Sequence, residues 1–473
     1  MVFSSLAFIF GFLPVLLAVY YFVDDRYKNV VLLVGSLLFY AWGGPKYLIL
    51  LMTEALVSWG LALLIDAAEG AREKRLYLVL ECVVLLGLLG YFKYAGWLAA
   101  TFAGLIPALK SFVAPILPIG ISFYTFQLIS YVADVKRGEV AAQRSYWRLL
   151  LYCSLFHQCI AGPIVRYATV EKEIAHRQPT QSDVYYGVRR FCCGLAKKAV
   201  LANSCAAVAD TLVPIGGTTL AAQSVTGFWL GMIFYTLQIY LDFSAYSDMA
   251  IGLGRMVGFH YLENFNYPYT ATSVQDFWRR WHISLSSFFR DYVYIPLGGS
   301  RCATPIYIRN MAVVWLLTGL WHGASWNYVL WGLFYLALLL LERFVLRDLI
   351  PSPVQRALTI IAVIFGWVLF RFENAGEMLT VLKGMLGFAG GGFLSLSVRT
   401  TFLQNIFLLI VAIVACTQFG SWLRKTLSRA ARNGGAIFGV YSVTEMLTPA
   451  LMLLLAVIAL AGASYNPFIY FQF

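Results

Sequence analysis

Two histidines that follow tryptophans could carry acid–base or nucleophilic chemistry. His282 lies in RRWHISLS and His322 in GLWHGAS, and His322 stands between the apolar runs MAVVWLLTGLW and NYVLWGLFYLALLLL. A neutral imidazole can act as a general base or as a nucleophile. An ionisable side chain inside a membrane is costly unless it faces a partner or a water-filled cavity. His322 is therefore a candidate catalytic residue.

A structural role fits the same pattern, because a histidine can also hydrogen-bond a neighbouring membrane helix. His157, in LLLYCSLFHQCIAGP, is a rival because it too lies in an apolar run. His260 ends an apolar run and is expected at the membrane interface, whereas His176 lies in a polar loop and is expected in water. Residue chemistry alone does not separate His322 from His157.

Two aspartates occupy the otherwise apolar stretch YLDFSAYSDMAIGLGRMVGF. Asp242 and Asp248 are six residues apart, so on one continuous helix they would not share a face. A matched catalytic pair is therefore not expected, and each carboxylate could instead hold an arginine or orient a histidine. The structural alternative is close helix packing, which small residues of the same stretch permit. These residues are Ser244, Ser247, Gly252 and Gly254.

The segment 274–301 combines aromatic and charged residues. Its apolar residues recur at helical spacing, which predicts an amphipathic helix lying along the membrane interface until the Gly298-Gly299 pair ends it. An aromatic belt is the structural interpretation, and an arginine-lined mouth for a phosphate-bearing donor is the functional one. The apolar residues are Trp278, Trp281, Leu285, Phe288 and Phe289, and the candidate donor-binding residues are Arg279, Arg280 and Arg290.

The composition requires a membrane. Of the 473 residues, 60% are hydrophobic and 12% are charged, whereas soluble domains carry about 25% charged residues. Repeated long apolar runs predict an all-α polytopic protein, and the alternating segments of an outer-membrane barrel are absent from the sequence. The net charge of +12 is attributed to basic loops that stay in the cytoplasm, so nucleic acid is not an expected partner.

The sequence contains no motif that indicates a different chemistry. The eight cysteines form no CxxC pair, and most lie in apolar runs, so neither a metal site nor a disulfide framework is expected. The sequence has no GxSxG, Walker A, HExxH or Rossmann pattern in a suitable context.

The apolar runs predict roughly 10 to 12 membrane crossings, with short re-entrant or interfacial helices between them, in a single domain over residues 1–473. Basic residues place 24–28, 66–75, 166–198 and 424–432 in the cytoplasm. The N-terminus and the tail SYNPFIYFQF are then expected outside. A continuous helix over 312–341 would be about 45 Å long, half as long again as the hydrocarbon core. We therefore expect it to be tilted, or interrupted near Gly323-Ala324-Ser325.

Several long stretches together resemble the membrane-bound O-acyltransferase (MBOAT) family, in particular its bacterial branch of alginate O-acetylases. They are MVFSSLAFIFGFLPV, LPIGISFYTFQLISYVADV, IAGPIVRY, QIYLDFSAYSDMAIGLGRMVGF, NFNYPYTATSVQDFWRRWHISLSSFFRDYVYIPLGGSR, LTGLWHGASWNYVLWGLFY and NPFIYFQF. The resemblance covers most of the chain. It implies a ring of membrane helices around a thin centre with a funnel, and two signature histidines that fall on His282 and His322.

The resemblance also implies a reaction. His322 matches the family's catalytic histidine, His282 takes a supporting or donor-side role, and Trp321 and Asn327 are candidate supporting residues. An acyl group, from acetyl-CoA or another cytoplasmic thioester, would move across the bacterial inner membrane with no bound cofactor. Periplasmic SGNH-type partners within a polysaccharide secretion complex would then place it on an exported polysaccharide, with alginate expected first. The alternatives are cellulose or peptidoglycan acetylation, a transporter or flippase of an acyl or lipid-linked donor, and a non-catalytic scaffold.

Overall fold

The computed structural model describes residues 2–160, 162–217, 219–346, 349–432, 434–462 and 468. Helices account for the regular structure of this described part, which confirms the all-α class. Ala161 of the IAGPIVRY stretch and the tail 463–473, apart from Phe468, lie outside the described residues. The expected placement of that tail therefore stays a prediction.

Twenty α-helices follow one another along the described chain. In order they are α1 Leu13–Phe22, α2 Lys28–Ala41, α3 Pro45–Ala67, α4 Ala71–Leu89, α5 Ala95–Phe102, α6 Ile121–Arg137, α7 Tyr146–Ser154, α8 Tyr167–Ala175, α9 Gln181–Ala196, α10 Asn203–Leu212, α11 Val225–Met256, α12 Val274–Arg280, α13 Ile283–Phe289, α14 Thr304–His322, α15 Trp326–Leu341, α16 Ser352–Arg371, α17 Ala375–Met385, α18 Leu396–Ala415, α19 Phe419–Ala431 and α20 Gly435–Ala461. Short π-helical segments extend or join them at Phe8–Phe12, Gly90–Tyr94, Lys197–Ala202, Arg290–Tyr294 and Glu342–Leu346. Single 3-10 turns lie at Asp25–Tyr27, Pro107–Ser111, Leu220–Ala222 and Pro268–Thr270.

These helices form two compact units, and the residues of α9 and α11 are divided between them. The first unit comprises Met1–Phe191, Ser247–Glu263 and Arg290–Tyr292, and the second comprises Cys192–Tyr246, Asn264–Phe289 and Val293–Phe473. The expected single domain stays a prediction.

In the first unit, α3, α4 and α6 pack against one another, and α2 packs against α7. Pro45 occupies the first turn of α3, where its missing N–H is no loss. Gly138 ends α6 with φ +73°, a left-handed conformation that glycine adopts without strain. The rings of Phe8 and Phe12, in the first helical segment, pack on Phe39 and Phe156, which makes an aromatic core.

In the second unit, α14 and α15 form a tightly packed hairpin, and α16 packs on α15. A Cβ on Gly319 would lie 2.3 Å from the main-chain oxygen of Tyr328, and a Cβ on Gly332 would lie 2.4 Å from that of Trp315. Both glycines are therefore required by helix contact, as is common between membrane helices. The hairpin is the element that carries the candidate site.

Seven helical segments of the described chain are long and apolar enough to cross a membrane, judged by length and composition alone. They are Pro45–Ala67, Ala71–Phe102, Gln181–Leu212, Trp326–Leu346, Ser352–Arg371, Leu396–Ala415 and Gly435–Ala461, with Phe8–Phe22 as a shorter apolar helix. The expected 10 to 12 crossings exceed this number because other apolar runs make short helices or carry polar residues, as α11 does. The multi-pass membrane class is nevertheless confirmed.

Three details differ from the sequence-based expectation. The apolar runs 224–241 and 245–258 belong to one 32-residue helix, α11. The amphipathic helix predicted from residue 274 is broken into α12 and α13, and its aromatic face is buried in protein and not in lipid. Lys198, expected among cytoplasmic loop residues, is buried on a helical segment beside Asp242, because the ion pair offsets its charge.

Candidate active site

The hairpin breaks at the candidate catalytic residue. Helix α14 ends at His322 and α15 begins at Trp326, so the interruption expected near residues 323–325 is present. The chain turns through Gly323, whose Cβ, if it had one, would lie 2.2 Å from the Tyr328 ring. Any larger residue there would push the turn away from α15.

Aromatic rings surround the His322 side chain, which is buried. The ring of Trp331 lies 4.9 Å away between centroids, that of Phe370 5.2 Å away and that of Trp321 5.1 Å away, all edge-on. Edge-to-face packing of this kind fixes the plane of the imidazole. The histidine therefore sits in a defined orientation within the second unit and not on its surface.

Asn327 fixes one wall of this cage. It lies in the first turn of α15, and its Nδ2 donates to the main-chain oxygens of Leu369 at 3.2 Å and Phe370 at 3.3 Å. The bonds tie the start of α15 to the end of α16, where Phe370 contacts His322. Asn327 thus acts on the position of His322 through Phe370.

His282 occupies the break between α12 and α13 with φ +44°, a left-handed conformation that is uncommon outside glycine. Its Nδ1 lies 3.2 Å from Oδ1 of Asn264. The same oxygen accepts from the Ser284 main-chain N–H at 3.1 Å and from the Ser284 hydroxyl at 2.8 Å. Since a main-chain N–H can only donate, Oδ1 is an acceptor, and Nδ1 of His282 carries the proton. Burial lowers the pKa of His282 to about 3, so the ring is neutral with its lone pair on Nε2.

Trp321 brings the two histidines into one site. Its ring centroid lies 5.5 Å from that of His282 and 5.1 Å from that of His322. The Phe243 ring of α11 packs on His282, with the two ring centroids 4.7 Å apart. The structure therefore joins His282, Trp321, His322 and Asn327 in one aromatic and buried cluster.

Both aspartates of α11 hold basic residues, but only Asp248 holds an arginine, as one of the alternatives expected, whereas Asp242 holds a lysine. Asp242, in the second unit, bonds Nζ of Lys198 at 2.7 Å. Asp248, in the first unit, bonds Nη2 of Arg190 at 2.9 Å. Close helix packing, the other alternative, is also present in α11, because a Cβ on Gly252 would lie 2.7 Å from the Gly187 oxygen.

The three candidate donor-binding arginines differ in whether they form ion pairs. Nε of Arg280 bonds Oδ1 of Asp276 at 2.9 Å, and Nε of Arg290 bonds Oδ1 of Asp291 at 2.6 Å. Arg279 is exposed, and no ion pair is found for it among the described residues. Arg279 is therefore the most available of the three for an anionic ligand.

The rival histidines belong to the first unit. His157 is buried, and its Nδ1 lies 2.9 Å from the hydroxyl of Tyr261 in an aromatic setting. His260 is partly exposed and contacts Glu173 and Asp183, whereas His176 is exposed, as expected. The hydrogen bond and packing of His157 fit the structural interpretation of that residue.

Comparison with known proteins decides the class. The sequence profile of the membrane-bound O-acyltransferase family matches residues 137–375, a range that includes both candidate histidines. The chain belongs to this family. It is an O-acyltransferase and a multi-pass membrane protein.

Individual relatives extend over the whole chain. A probable alginate O-acetylase of Pseudomonas putida is 39% identical over the full length of both proteins. A peptidoglycan O-acetyltransferase of Helicobacter pylori is 32% identical over all of this chain and 98% of its own. A teichoic acid D-alanyltransferase of Bacillus subtilis is 26% identical over 63% of this chain and 82% of its own.

Sequence reasoning did not find three residues that this acyltransferase places around the predicted ones. They are Asn264, which fixes the His282 tautomer, Phe370, which packs on His322, and Lys198, which pairs with Asp242. Only Lys198 carried a signal, as part of a Lys197-Lys198 pair within an apolar run. Asn264 and Phe370 are distant in sequence from their partners and have ordinary residue types for their segments.

Proposed function

We propose that the protein is an inner-membrane O-acetyltransferase that moves an acetyl group from a cytoplasmic thioester towards the periplasm, for O-acetylation of an exported polysaccharide. The observation that carries the proposal is the burial of His322 at the break of the α14–α15 hairpin, in contact with the tryptophan that also contacts His282. Alginate is the acceptor polymer proposed first, because several alginate O-acetylases are similar over the full length.

His322 is proposed as the group that moves the proton. In the simplest route its neutral imidazole takes the proton of an acceptor hydroxyl while that oxygen attacks the thioester carbonyl. The C–O bond forms, the C–S bond breaks, and the thiolate leaves and recovers the proton from the imidazolium. The burial of His322 among aromatic rings supports this role, because an apolar setting disfavours a charged imidazolium in the resting site.

His282 is proposed to support the reaction from the donor side. Its Nδ1–H is committed to Asn264, so its Nε2 lone pair could accept a hydrogen bond from substrate. Trp321, held between the two rings, would keep their spacing constant. Asn327 would position His322 through the end of α16.

The donor is proposed to be acetyl-CoA or another acyl thioester. Arg279 is exposed and would meet its phosphates, while Arg280 and Arg290 would contribute at longer range because each is paired with a carboxylate. Periplasmic partners of the SGNH esterase type would receive the acetyl group or deliver it to the polymer. Replacing Arg279 by glutamine and measuring donor affinity at low salt would test this contact, since loss of a phosphate contact should weaken affinity.

A second acceptor class has specific support. The peptidoglycan O-acetyltransferase relative is also similar over the whole chain. The two candidates are distinguished by supplying the purified protein, labelled acetyl-CoA and either polymer with its partner protein, and by asking which polymer is labelled.

The test of the histidine assignment is the acetyl content of the exported polymer in cells that carry His322→Ala. We expect loss to background, because no other described side chain of the cage can accept the proton. His176→Ala, which changes an exposed histidine, is the matched control and should leave acetylation unchanged. Normal acetyl content in a His322→Ala protein that accumulates normally in the membrane would contradict the assignment.

A further inference from the structure

Two glutamates of the first unit lie far from any water-exposed surface. Glu54 belongs to α3 and Glu81 to α4, and both side chains are fully buried at 0% exposure. Both helices are among the segments that can cross a membrane. A carboxyl group in such a position is costly and marks a functional site by default.

Hydroxyl groups from two helices contact these carboxyls. The Ser58 hydroxyl lies 2.6 Å from Oε1 of Glu81 and 3.0 Å from the main-chain oxygen of Glu54. The Thr125 hydroxyl of α6 donates to Oε2 of Glu54 at 3.0 Å. The second oxygens, Oε1 of Glu54 and Oε2 of Glu81, have no hydrogen-bond partner among the described residues. These two carboxyl oxygens can therefore bind protons in addition to those that Ser58 and Thr125 donate.

No basic group neutralises the pair. Within the described part of the chain, neither glutamate forms an ion pair, whereas the buried Asp242 is paired with Lys198. Tyr40, Tyr124, Cys82 and Cys153 interact electrostatically with one or other carboxyl, as the two carboxyls do with each other, and none of these groups is cationic. The hydroxyls of Tyr40 and Tyr124 are themselves buried and form no well-aligned hydrogen bond with a described residue. Two carboxylates could not remain ionised together in these surroundings.

We propose that Glu54 and Glu81 form a proton-binding site in the membrane interior, with the bound protons in place of a counter-cation. The hydrogen-bond geometry supports this independently of the burial. The Ser58 hydroxyl has one proton and two acceptor-type neighbours. If it donates to the Glu54 main-chain oxygen, as serine in a helix commonly does, Glu81 must donate to the serine and so must be protonated.

The proposal extends beyond acyl transfer and does not rest on it. Its ligand is the proton, held where α3, α4 and α6 pack together. A monovalent metal cation on the same oxygens is the competing occupant, and the experiments below separate the two.

The first experiment uses a carbodiimide, which reacts with protonated carboxyl groups. The acid proton passes to a carbodiimide nitrogen while the carboxyl oxygen bonds to the central carbon, and the acyl group then migrates to nitrogen, so the whole reagent is added and nothing leaves. We treat the protein in membranes with dicyclohexylcarbodiimide and map the added mass by peptide mass spectrometry. We expect the adduct on Glu54 or Glu81, and its loss in the double variant Glu54→Gln/Glu81→Gln.

The second experiment does not require reagent access. The infrared band of a carboxylic acid carbonyl is recorded for the wild type and the double glutamine variant at pH 8 in sodium-free buffer. We expect a band that the variant lacks, and the same band after addition of sodium. Glu73→Gln, at an exposed position of α4, is the matched control and should leave the acid band unchanged.

Glutamine matches the size and hydrogen bonding of a protonated glutamate, so the variant is expected to fold, and single variants serve if it does not. Identical acid bands in wild type and variants would show that both carboxyls are ionised and would overturn the proposal. Loss of the wild-type band on addition of sodium would assign the site to a metal cation instead.

Discussion

At the residue scale, the site depends on two histidines whose surroundings fix them in different ways. His322 is oriented by ring contacts with three aromatic side chains. His282 is oriented by a hydrogen bond to Asn264 and by a left-handed backbone. The Asn264 bond commits one nitrogen of His282. The proposed division assigns the proton transfer to His322 and the supporting role to His282.

A pH prediction follows from the burial of His282. Its pKa is lowered to about 3 in the folded protein, below the value of about 6.5 of an unfolded chain. At a pH between these two values the unfolded state binds a proton that the folded state does not. The contribution of neutral His282 to the free energy of unfolding is therefore present above pH 6.5 and is lost as the pH falls towards 3. From pH 7 to pH 5 the loss should be ~2 kcal/mol.

Thermal unfolding in detergent at pH 7 and pH 5 measures this loss. We compare the wild type with His282→Asn, because asparagine tolerates a left-handed backbone better than most residues. The wild type should lose more stability on acidification than the variant does. Equal losses in the two proteins would show that His282 does not remain neutral in the folded state.

At the element scale, the length of the apolar stretch 312–341 predicted either a tilted helix or an interruption near residues 323–325, and the structure has the interruption, with α14 ending at His322. The sequence did not predict the break between α12 and α13. Apolar residues continue at helical spacing through Trp281, and the interruption coincides with tertiary hydrogen bonds from one distant segment. Asn264 contacts His282 in the break and Ser284 in α13, and the Asn266 N–H donates to the Arg280 oxygen at the end of α12. Local patterns predict local elements, whereas a bend that tertiary hydrogen bonds impose leaves no periodic signal.

The same limit applies to the candidate site. Both histidines could be predicted because they are polar residues in apolar or aromatic surroundings and match a known family. The cage around His322 could not, since Phe370 belongs to a different helix and is one of 35 phenylalanines in the chain. Likewise Asp242 was visible as a buried charge, but its choice of Lys198 over an arginine depends on how two helices pack.

The α14–α15 hairpin provides an element-scale prediction. In Gly319→Ala the new methyl group would meet the Tyr328 main-chain oxygen at 2.3 Å, and a backbone atom cannot move aside as a flexible side chain can. The helices must separate, which should cost roughly 2 kcal/mol and shift His322, three residues further along. Thermal unfolding and acetyl transfer should both fall. Gly439→Ala on α20, where nothing lies within 4 Å of the added carbon, is the control, and an equal effect of the two changes would contradict the packing argument.

At the scale of the whole molecule, charge distribution and contacts predict how the first unit crosses the membrane. Asp66, at the end of α3, pairs with Arg144, which follows α6, at 2.5 Å. At the start of α3, the Tyr47 hydroxyl donates to the oxygen of Ile116, which precedes α6, at 3.0 Å. The two ends of α3 therefore make different contacts, and the basic residues of 66–75 predict that the Asp66–Arg144 end faces the cytoplasm.

This arrangement predicts opposite exposure for two loops. Glu69 follows α3 on the predicted cytoplasmic side, whereas Lys110 lies between α5 and α6, beyond the Ala71–Phe102 span. Both side chains are exposed, so each position can carry a single reporter. A membrane-impermeant maleimide applied to spheroplasts should label Lys110→Cys at once, and should label Glu69→Cys only after the membrane is permeabilised.

The parent protein, with its own eight cysteines, gives the background to subtract from each signal. Immediate labelling of Glu69→Cys would reverse the sides, and with them the direction of transfer proposed above. Equal labelling of both positions in intact spheroplasts would mean that α4 and α5 do not together cross the membrane. In that case only α3 and α6 would determine the orientation of this part of the chain. The Tyr47 contact places the starts of these two helices together, and the Asp66 contact places their ends together.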